Sequence, residues 1–393
     1  MKQGQKPDLF TVKNKNFVEF PLKTTIKRLI MTSNKRIIVS DATLGPGGAE
    51  RVLSVLSGTF AEHYEEVVYI TWIDVPDFYP IDKRVKRICI ERECGSKNLL
   101  SKAFWFRNYV KKYHPNLVLS FLTPYNVLVS ASLTGVNVPL VVAERNDPSF
   151  VWNTLIKRNI RKLAYIKPVG ILVQTQKNQS YFKGKYLKKT CIIYNPIIMG
   201  KDYIGKALRT EKKNRIVSVS RLMKQKNQDM LLKAFKIFHD SHPDYTLTIY
   251  GKGEYRPEVE RMVEEYKLKS CVELPGATDN LWDKIVDAKC FALSSWYEGM
   301  PNGLLEALCL GLPCVSTKVS GSTDLIESGK NGYLVELDDH EAMARYFSDI
   351  IDSNSGNVIG QEATKIYNRL NEDVICKQWI DYLDQIITTY SAK

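Results

Sequence analysis

The amino-acid sequence predicts an α/β protein that contains two doubly wound domains. A chain of 393 residues is long enough for two domains of ordinary size. Short apolar segments of strand length recur in two series, and helical patterns separate most of them, which is typical of parallel sheets covered on both faces. The first series comprises residues 36–40, 66–71, 117–121, 138–143, 170–174 and 191–194. The second comprises residues 215–220, 246–250, 272–274, 290–294, 314–316 and 332–336.

The two series meet near residues 197–214, where glycine and charged residues replace the apolar runs. Such a composition is typical of a domain boundary. We therefore expect an N-terminal extension over residues 1–34, a first domain over 35–200 and a linker over 201–214. The second domain is expected over 215–372, with a final segment over 373–393.

The composition excludes several classes of protein. The chain is 44% apolar and 25% charged, close to the average for globular proteins. It has no run of about 18 apolar residues, as a membrane helix needs, and its first 34 residues lack the apolar core of a signal peptide. The eight cysteines form no Cys-x-x-Cys pair and no Cys/His cluster. We expect a soluble, cytoplasmic protein whose cysteines are reduced, mostly buried thiols rather than a disulfide frame or a zinc site.

The charge is distributed unevenly. Residues 1–215 hold 37 Lys/Arg and 16 Asp/Glu, a net charge of +21, whereas residues 216–393 hold 19 and 27, a net charge of −8. The basic half is suited to an anionic partner, either nucleic acid, a phosphorylated acceptor or the inner surface of a membrane. A solvated basic face without a partner is the alternative. Nucleic acid is disfavoured, since few aromatic residues lie among the basic ones and no nucleic-acid-binding motif is present.

Two segments have helical spacing of apolar residues. In the segment 156–166 the apolar positions alternate with basic residues, so this helix either lies on anionic lipid or packs against the core. The apolar positions are Ile156, Ile160, Leu163 and Ile166. The segment 99–113 is expected to pack against the core through Leu99, Ala103, Phe106, Val110 and Tyr113.

In an open parallel sheet, ligands bind beyond the carboxyl ends of the strands, so the loops after the predicted strands are informative. The first such loop is Gly-Pro-Gly-Gly-Ala-Glu-Arg over residues 45–51, which opens a helix. Adjacent glycines allow the backbone to approach a ligand, and the helix N-terminus then favours an anion. A plain tight turn explains the same residues equally well.

A second loop, over residues 220–227, carries Arg221 and Lys226 between a strand and a helix. The guanidinium of Arg221 can donate two hydrogen bonds to phosphate oxygens, and Lys226 supplies a point charge. Basic loop residues that are merely solvated are the alternative.

The third loop, over residues 296–307, contains two carboxylates, Glu298 and Glu306, on either side of a Gly-Met-Pro-Asn-Gly segment. Carboxylates are good acceptors for neighbouring sugar hydroxyls. Glu306 lies in an apolar helix, where a carboxylate needs a partner. A capping and a solvated glutamate are the alternative interpretation.

Four ordered motifs now resemble a known family. The segment EGMPNGLLEA at 298–307 resembles the Glu-x7-Glu signature of retaining glycosyltransferases of family 4, and three further stretches agree with that family in order. They are GPGGAER at 45–51, SRLMKQKN at 220–227 and GLPCVSTKVSGSTDLI at 311–326. The resemblance covers roughly residues 36–390 and is strongest to bacterial enzymes that extend lipid-linked or surface glycans. It implies the GT-B fold, in which two Rossmann-like domains face each other across a cleft.

The resemblance also implies roles for individual residues. Arg221 and Lys226 would bind the donor diphosphate, Glu306 the ribose hydroxyls and Glu298 the transferred sugar. Gly47 and Gly48 would let the first domain close over the phosphates, and the last helix would cross back to that domain. Backbone atoms of the second domain would approach the sugar and phosphate at Asn302, Gly303, Leu304 and Leu305.

The implied activity is a retaining transfer of a hexose or N-acetylhexosamine without a metal or other cofactor. The donor is expected to be a nucleoside-diphosphate sugar, with UDP favoured, and the acceptor a lipid-linked saccharide at the inner face of the membrane. Glu298, Arg221 and Lys226 are the candidate catalytic residues. A sugar-nucleotide epimerase of the same fold is the alternative, and it would consume the donor without an acceptor.

One feature departs from the family pattern. Many members carry a histidine after a strand of the first domain, but none of the five histidines here follows a suitable strand. The corresponding loop contains Glu144, Arg145 and Asn146. We expect one of these three to contact the acceptor or the donor sugar, with an ion pair that fixes the loop as the alternative.

Overall fold

The computed structural model describes residues 33–392, so the expected N-terminal extension lies almost entirely outside the described residues. Two parallel β-sheets follow one another along the chain. The first has the order β3-β2-β1-β4-β5-β6-β7 and the second the order β10-β9-β8-β11-β12-β13. In each sheet the order reverses beside the first strand of the series, as in doubly wound folds.

The strands of the first sheet are β1 (Ser33–Asp41), β2 (Tyr64–Thr71), β3 (Lys86–Cys89), β4 (Leu117–Phe121), β5 (Leu140–Ala143), β6 (Gly170–Val173) and β7 (Thr190–Ile192). Its helices are α1 (Gly48–His63), α2 (Ile90–Cys94), α3 (Leu99–Tyr113), α4 (Thr123–Ser132), α5 (Leu155–Ala164) and α6 (Gln176–Tyr181). The central strands are buried along their whole length because helices cover both faces of the sheet.

The strands of the second sheet are β8 (Arg215–Val219), β9 (Thr246–Tyr250), β10 (Val272–Gly276), β11 (Cys290–Leu293), β12 (Cys314–Thr317) and β13 (Tyr333–Val335). The helices in this part of the chain are α7 (Gln228–Ser241), α8 (Arg256–Glu265), α9 (Leu281–Ile285), α10 (Asn302–Leu310), α11 (Ser322–Leu325), α12 (His340–Asp352), α13 (Gly356–Thr364), α14 (Ile366–Leu370) and α15 (Glu372–Ser391). Short 3-10 turns lie between the two series, at Lys201–Tyr203 and Lys206–Arg209.

The last helix, although it follows the second sheet in the chain, packs against the first sheet and α1. The ring of Trp379 in α15 lies 5.8 Å from that of Phe121 and 6.3 Å from that of Phe60. Asp384 of the same helix lies 2.7 Å from His63. The limits drawn from the sequence for the individual domains stay a prediction.

Every predicted strand is present, with ends within three residues of those expected. The strand β3 was not predicted, because it is a short edge strand whose first two residues are Lys86 and Arg87. In α3, Phe106 and Val110 are buried as expected, but Leu99 is exposed. In α5, the core-facing interpretation is wrong, since Ile156, Ile160, Leu163 and Ile166 are all exposed.

Candidate functional site

A cavity of about 360 Å³ lies between the carboxyl ends of the two sheets. Both halves of the chain contribute to its wall, and it gathers most of the residues singled out in the sequence. The predicted residues that line it are Gly47, Gly48, Arg145, Asn146, Arg221, Lys226, Glu298, Asn302 and Gly303. The loops after the strands of both sheets therefore converge on one site.

The glycine loop and the start of α1 form one side of the cavity. Gly47 precedes α1 in an extended conformation, and a Cβ atom on Gly48 would lie 3.0 Å from Nδ2 of Asn302 in the other half. The two halves thus approach closely at Gly48. Glu50, in the first turn of α1, also lines the cavity, and burial raises the pKa of its carboxyl.

The cations and one carboxylate of the second half form the opposite side. Arg221 follows β8 and is exposed, whereas Lys226 ends the 3-10 turn Lys224–Lys226. Nζ of Lys226 lies 2.6 Å from Oε1 of Glu298, and the hydroxyl of Ser295 donates to the same oxygen at 2.6 Å. Lys226 and Glu298 are therefore paired with each other in this structure.

Glu306 lies apart from this cavity, inside α10, beside a smaller pocket that Arg51 and Leu305 also line. Nη1 of Arg51 donates to Oε1 of Glu306 at 2.5 Å, and Nε1 of Trp282 donates to Oε2 at 3.1 Å. Because Arg51 belongs to α1, this ion pair joins the two halves. The side chain of Leu304 packs in the core and lines neither pocket.

The three candidate residues in the loop after β5 lie in different environments. Arg145 and Asn146 line the cavity, but Glu144 is fully buried and accepts hydrogen bonds from the hydroxyls of Thr123 and Tyr165. The carboxylate of Glu144 thus points into the first half. Glu144 is therefore not placed to make the contact with a sugar in the cavity that is expected for one residue of this loop.

Arg145 is half-buried and carries its charge into the cavity wall. Its guanidinium lies 5.3 Å from the ring centre of Phe121, and it donates to Oδ1 of Asn195. Loss of hydration lowers its pKa to about 10, although the nearby carboxyls of Asp41 and Glu50 act in the opposite direction. The side chain is therefore cationic at neutral pH.

Several residues at the junction were not singled out in the sequence. Nδ2 of Asn195 donates to Oδ1 of Asn302 at 2.7 Å, across the two halves. Asn195 lies just beyond β7, so the rule that informative residues follow strands would have found it. Arg51 belongs to the glycine-loop motif, but its pairing with Glu306 depends on how the halves meet and has no local signal.

The loop that carries Glu298 is also pressed against the first half. A Cβ atom on Gly299 would lie 2.5 Å from the backbone oxygen of Arg145, well inside van der Waals contact. Only glycine fits at this junction. Nearby, the rings of Phe150 and Tyr297 stack with centroids 4.8 Å apart, again joining the two halves.

Residues 33–392 lack two features, a cluster of metal-ligating side chains and a membrane-spanning helix. No group of three or more His, Cys, Asp and Glu residues that could hold a metal ion occurs there. None of the helices in the same range has the length and apolar character needed to cross a membrane.

Comparison with known proteins shows a family match in the second half of the chain. Residues 201–369 match the family described as glycosyl transferases group 1. This stretch contains Arg221, Lys226, Glu298 and Glu306, the residues that the resemblance implied for donor binding.

Two curated bacterial relatives are similar over most of the chain. One is the GalNAc-alpha-(1->4)-GalNAc-alpha-(1->3)-diNAcBac-PP-undecaprenol alpha-1,4-N-acetyl-D-galactosaminyltransferase of Campylobacter jejuni, 26% identical over 88% of this chain and 97% of the relative. The other is the amylovoran biosynthesis glycosyltransferase AmsD of Erwinia amylovora, 24% identical over 89% of this chain and 99% of the relative.

A solved structure with a similar fold is that of Anabaena HepE in complex with UDP and glucose. It has a TM-score of 0.74 and 19% sequence identity, and the match covers 89% of this chain and 99% of that one. The fold expected from the four motifs is thereby confirmed. Residues 201–369 thus match the group 1 glycosyl transferases, the chain as a whole is similar to bacterial glycosyltransferases, and its fold is GT-B.

Proposed function

We propose that this protein is a retaining, metal-independent glycosyltransferase that moves a hexose or N-acetylhexosamine from a UDP-sugar to a lipid-linked saccharide. The observation that carries this proposal is the cavity between the sheets. One side offers a glycine loop and a helix start, and the other offers Arg221, Lys226 and Glu298. A diphosphate joined to a sugar matches that combination of cations and a carboxylate.

The proposed donor position follows from the charges. Arg221 and Lys226 contact the diphosphate and stabilise the negative charge that grows on the leaving nucleotide. The N-terminus of α10, at Asn302 and Gly303, faces the same cavity and adds a partial positive charge. These groups supply the stabilisation that a metal ion provides in other enzymes.

We assign the two carboxylates to different parts of the donor, one to the transferred sugar and the other to the ribose. Glu298 accepts hydrogen bonds from hydroxyls of the transferred sugar, since it lines the cavity beside Lys226. We assign Glu306 to the ribose hydroxyls; because the pocket beside it has a volume of only about 10 Å³, room for one water molecule, Arg51 has to move aside for the ribose to enter. Arg145 and Asn146, on the first half, contact the acceptor or the transferred sugar.

The proposed mechanism needs no nucleophile from the protein. The acceptor hydroxyl attacks the anomeric carbon on the face that the nucleotide leaves, and a donor phosphate oxygen takes its proton. The anomeric configuration is therefore retained. UDP and a lipid-linked acceptor are favoured by what the similar proteins are described as binding or using, namely UDP in HepE and an undecaprenol-linked glycan in the Campylobacter relative.

A lipid-linked acceptor places the reaction at a membrane surface. The net charge of +21 on residues 1–215 suits an anionic leaflet, and we propose peripheral contact of this half at the inner face of the cytoplasmic membrane. Nucleic acid is not a proposed partner.

The first test is donor binding by the purified protein in the presence of EDTA. We expect UDP to raise the melting temperature more than GDP or ADP, because binding to the native state alone stabilises it. Arg221→Ala should abolish this shift, whereas Lys224→Ala should not, since Lys224 is an exposed cation of the same loop that does not line the cavity. Equal shifts in both variants would overturn the assignment of Arg221.

The second test is transfer itself. UDP-glucose, UDP-galactose and their N-acetylated forms are each incubated with a polyprenyl-diphosphate-linked saccharide, and UDP release is measured with and without EDTA. We expect release that depends on the acceptor, and an α-linked product from an α-linked donor by NMR. Donor consumption without an acceptor would instead support the epimerase alternative.

A further inference from the structure

The helix α5 (Leu155–Ala164) carries its apolar side chains on the outside of the protein. Ile156, Ile160 and Leu163 recur at helical spacing, and together with Leu155 and Ile166 they are between 45% and 74% exposed. An amphipathic helix of a globular protein normally turns this face inward. Here the usual orientation is reversed, and the exposed apolar side chains form a continuous stripe.

The inward side of α5 is held by a buried cation instead. Arg161 is 2% exposed and donates to the backbone oxygens of Pro148 at 3.0 Å and Val151 at 3.3 Å. Its guanidinium also contacts the ring of Tyr181 in α6, at 4.6 Å from the centroid. These bonds fix the rotation of α5, so the apolar stripe faces outward as part of the folded structure.

The charges around the stripe are all of one sign. Lys157, Arg158 and Lys162 lie on α5 and are exposed, and Lys167 follows it. The sequence has no acidic residue between Asp147 and Asp202, but eleven Lys and Arg. Apolar side chains flanked by cations match the boundary between acyl chains and anionic headgroups of a bilayer.

A second exposed apolar group lies at the start of α3, where Leu99, Leu100 and Phe104 are all more than half exposed. Nζ of Lys102 donates to the backbone oxygen of Trp72 at 2.9 Å, so this end of α3 lies beside the carboxyl end of β2. The helix α5 likewise begins after the carboxyl end of β5. Helices α3, α4 and α5 lie side by side in that order, since α4 contacts both of the others.

We propose that α5 docks this protein on an anionic lipid bilayer, with the apolar stripe inserted among the acyl chains and the start of α3 as a second point of contact. This inference rests on the proposed function, in which the acceptor is lipid-linked. It names the element that meets the membrane, whereas the net charge indicates only which half of the chain does so. A bilayer accounts for both the cations and the apolar side chains of this surface.

Docking through α5 also orients the cavity. The loop that Arg161 holds, residues 147–151, continues directly from Arg145 and Asn146 in the cavity wall. A helix fixed on the bilayer therefore keeps that wall at a set height above the headgroups. An acceptor anchored in the same leaflet then presents its saccharide to the cavity without leaving the membrane.

The test is flotation of the full-length protein with vesicles of phosphatidylcholine, alone or mixed with phosphatidylglycerol. We expect binding to the mixed vesicles, and a fall of at least about tenfold in the partition coefficient for the triple variant Ile156→Ser, Ile160→Ser, Leu163→Ser. The matched control is Ile237→Ser with Val358→Ser, two exposed aliphatic residues of the second half, and it should bind as the wild type does.

The charges are tested separately. Lys157→Gln and Lys162→Gln should each lower partitioning into the mixed vesicles roughly fivefold, which is about 1 kcal/mol per cation. Raising the salt concentration should reduce this difference, because screening weakens the attraction of exposed charges. Equal partitioning of wild type and triple variant would overturn the proposal.

Two further measurements separate the possible failures. The triple variant should keep its UDP-induced thermal shift and its transfer to a short water-soluble saccharide acceptor, because α5 does not line the cavity. If no nucleotide binds but vesicle binding still depends on α5, the proposed function fails and the docking surface stands. A wild-type dimer that ignores vesicles and dissociates in the triple variant would identify a second copy as the occupant instead.

Discussion

Replacement of Glu306 by glutamine tests the assignment of the ribose site most directly. The carboxylate accepts from Arg51 on one oxygen and from Trp282 on the other, and each oxygen keeps a further lone pair for a ribose hydroxyl. Glutamine has nearly the same shape but one acceptor oxygen and no charge. The change therefore removes the charge-assisted bonds without emptying the site.

The expected effect on affinity follows from the strength of those bonds. A hydrogen bond to a charged group contributes about 1.5–3 kcal/mol, so the dissociation constant for UDP should rise roughly 10- to 100-fold. Stability should also fall, because the pair with Arg51 is broken. Since the Arg51 side chain is 27% exposed, we expect a loss of about 1–2 kcal/mol in the free energy of unfolding.

The assay is calorimetric titration with UDP well below the melting temperature, so that the change in stability does not enter. Inorganic diphosphate serves as the second ligand, and Glu327→Gln is the matched control, since Glu327 is an exposed glutamate of the same half paired with Lys330. Glu306→Gln should weaken UDP binding and leave diphosphate binding unchanged. Equal losses for the two ligands, or none for UDP, would refute the ribose assignment.

Three further outcomes are expected. Arg51→Met should lower the free energy of unfolding in urea by about 1–3 kcal/mol by leaving Glu306 without its cation, and the double variant with Glu306→Gln should lose less than the sum of the single losses. Gly299→Ala should lower both the melting temperature and the transfer rate, since its methyl group would meet the backbone oxygen of Arg145, and wild-type behaviour would show that the halves separate freely. Asp41 is fully buried, and burial raises the pKa of its carboxyl well above the ordinary value. The native state therefore binds this proton more tightly than the unfolded chain does. As a result, the wild type loses stability as the pH rises from the ordinary carboxyl pKa through the raised one. Melting curves from pH 4 to pH 8 should therefore favour Asp41→Asn increasingly at higher pH, by about 1.4 kcal/mol for each unit by which the pKa is raised, and a constant difference would contradict the assignment.

The sequence was sufficient for the features that depend on local pattern. Buried parallel strands are continuous apolar runs, which is why β4 and β9 were predicted at their observed bounds. The rule that ligands lie beyond the strand ends was enough to single out Arg221 and Glu298, which line one cavity in the structure, although the sequence does not show how the halves meet.

The remaining features depend on tertiary structure. Periodicity shows that one face of α5 is apolar, but not whether that face points inward, because the rotation of the helix is set by the bonds of Arg161 to a distant loop. The burial of Glu144 depends in the same way on Thr123 and Tyr165, which lie on other elements. In each segment the orientation is set by a charged side chain of a kind that is rarely buried, the cation of Arg161 or the carboxylate of Glu144.

The pairing of Lys226 with Glu298 bears on how a nucleotide sugar would be distinguished from a nucleotide. If the protein has the proposed function, the donor diphosphate attracts Lys226. Glu298, whose side chain is only 8% exposed, then loses its cationic partner. Ser295 alone does not satisfy that carboxylate, and an unpaired buried charge is costly. A hydroxyl of the transferred sugar that donates to Glu298 restores the missing bond, and UDP lacks the transferred sugar. The ion pair therefore favours the complete donor over the spent nucleotide, and it promotes release of UDP once the sugar has been transferred.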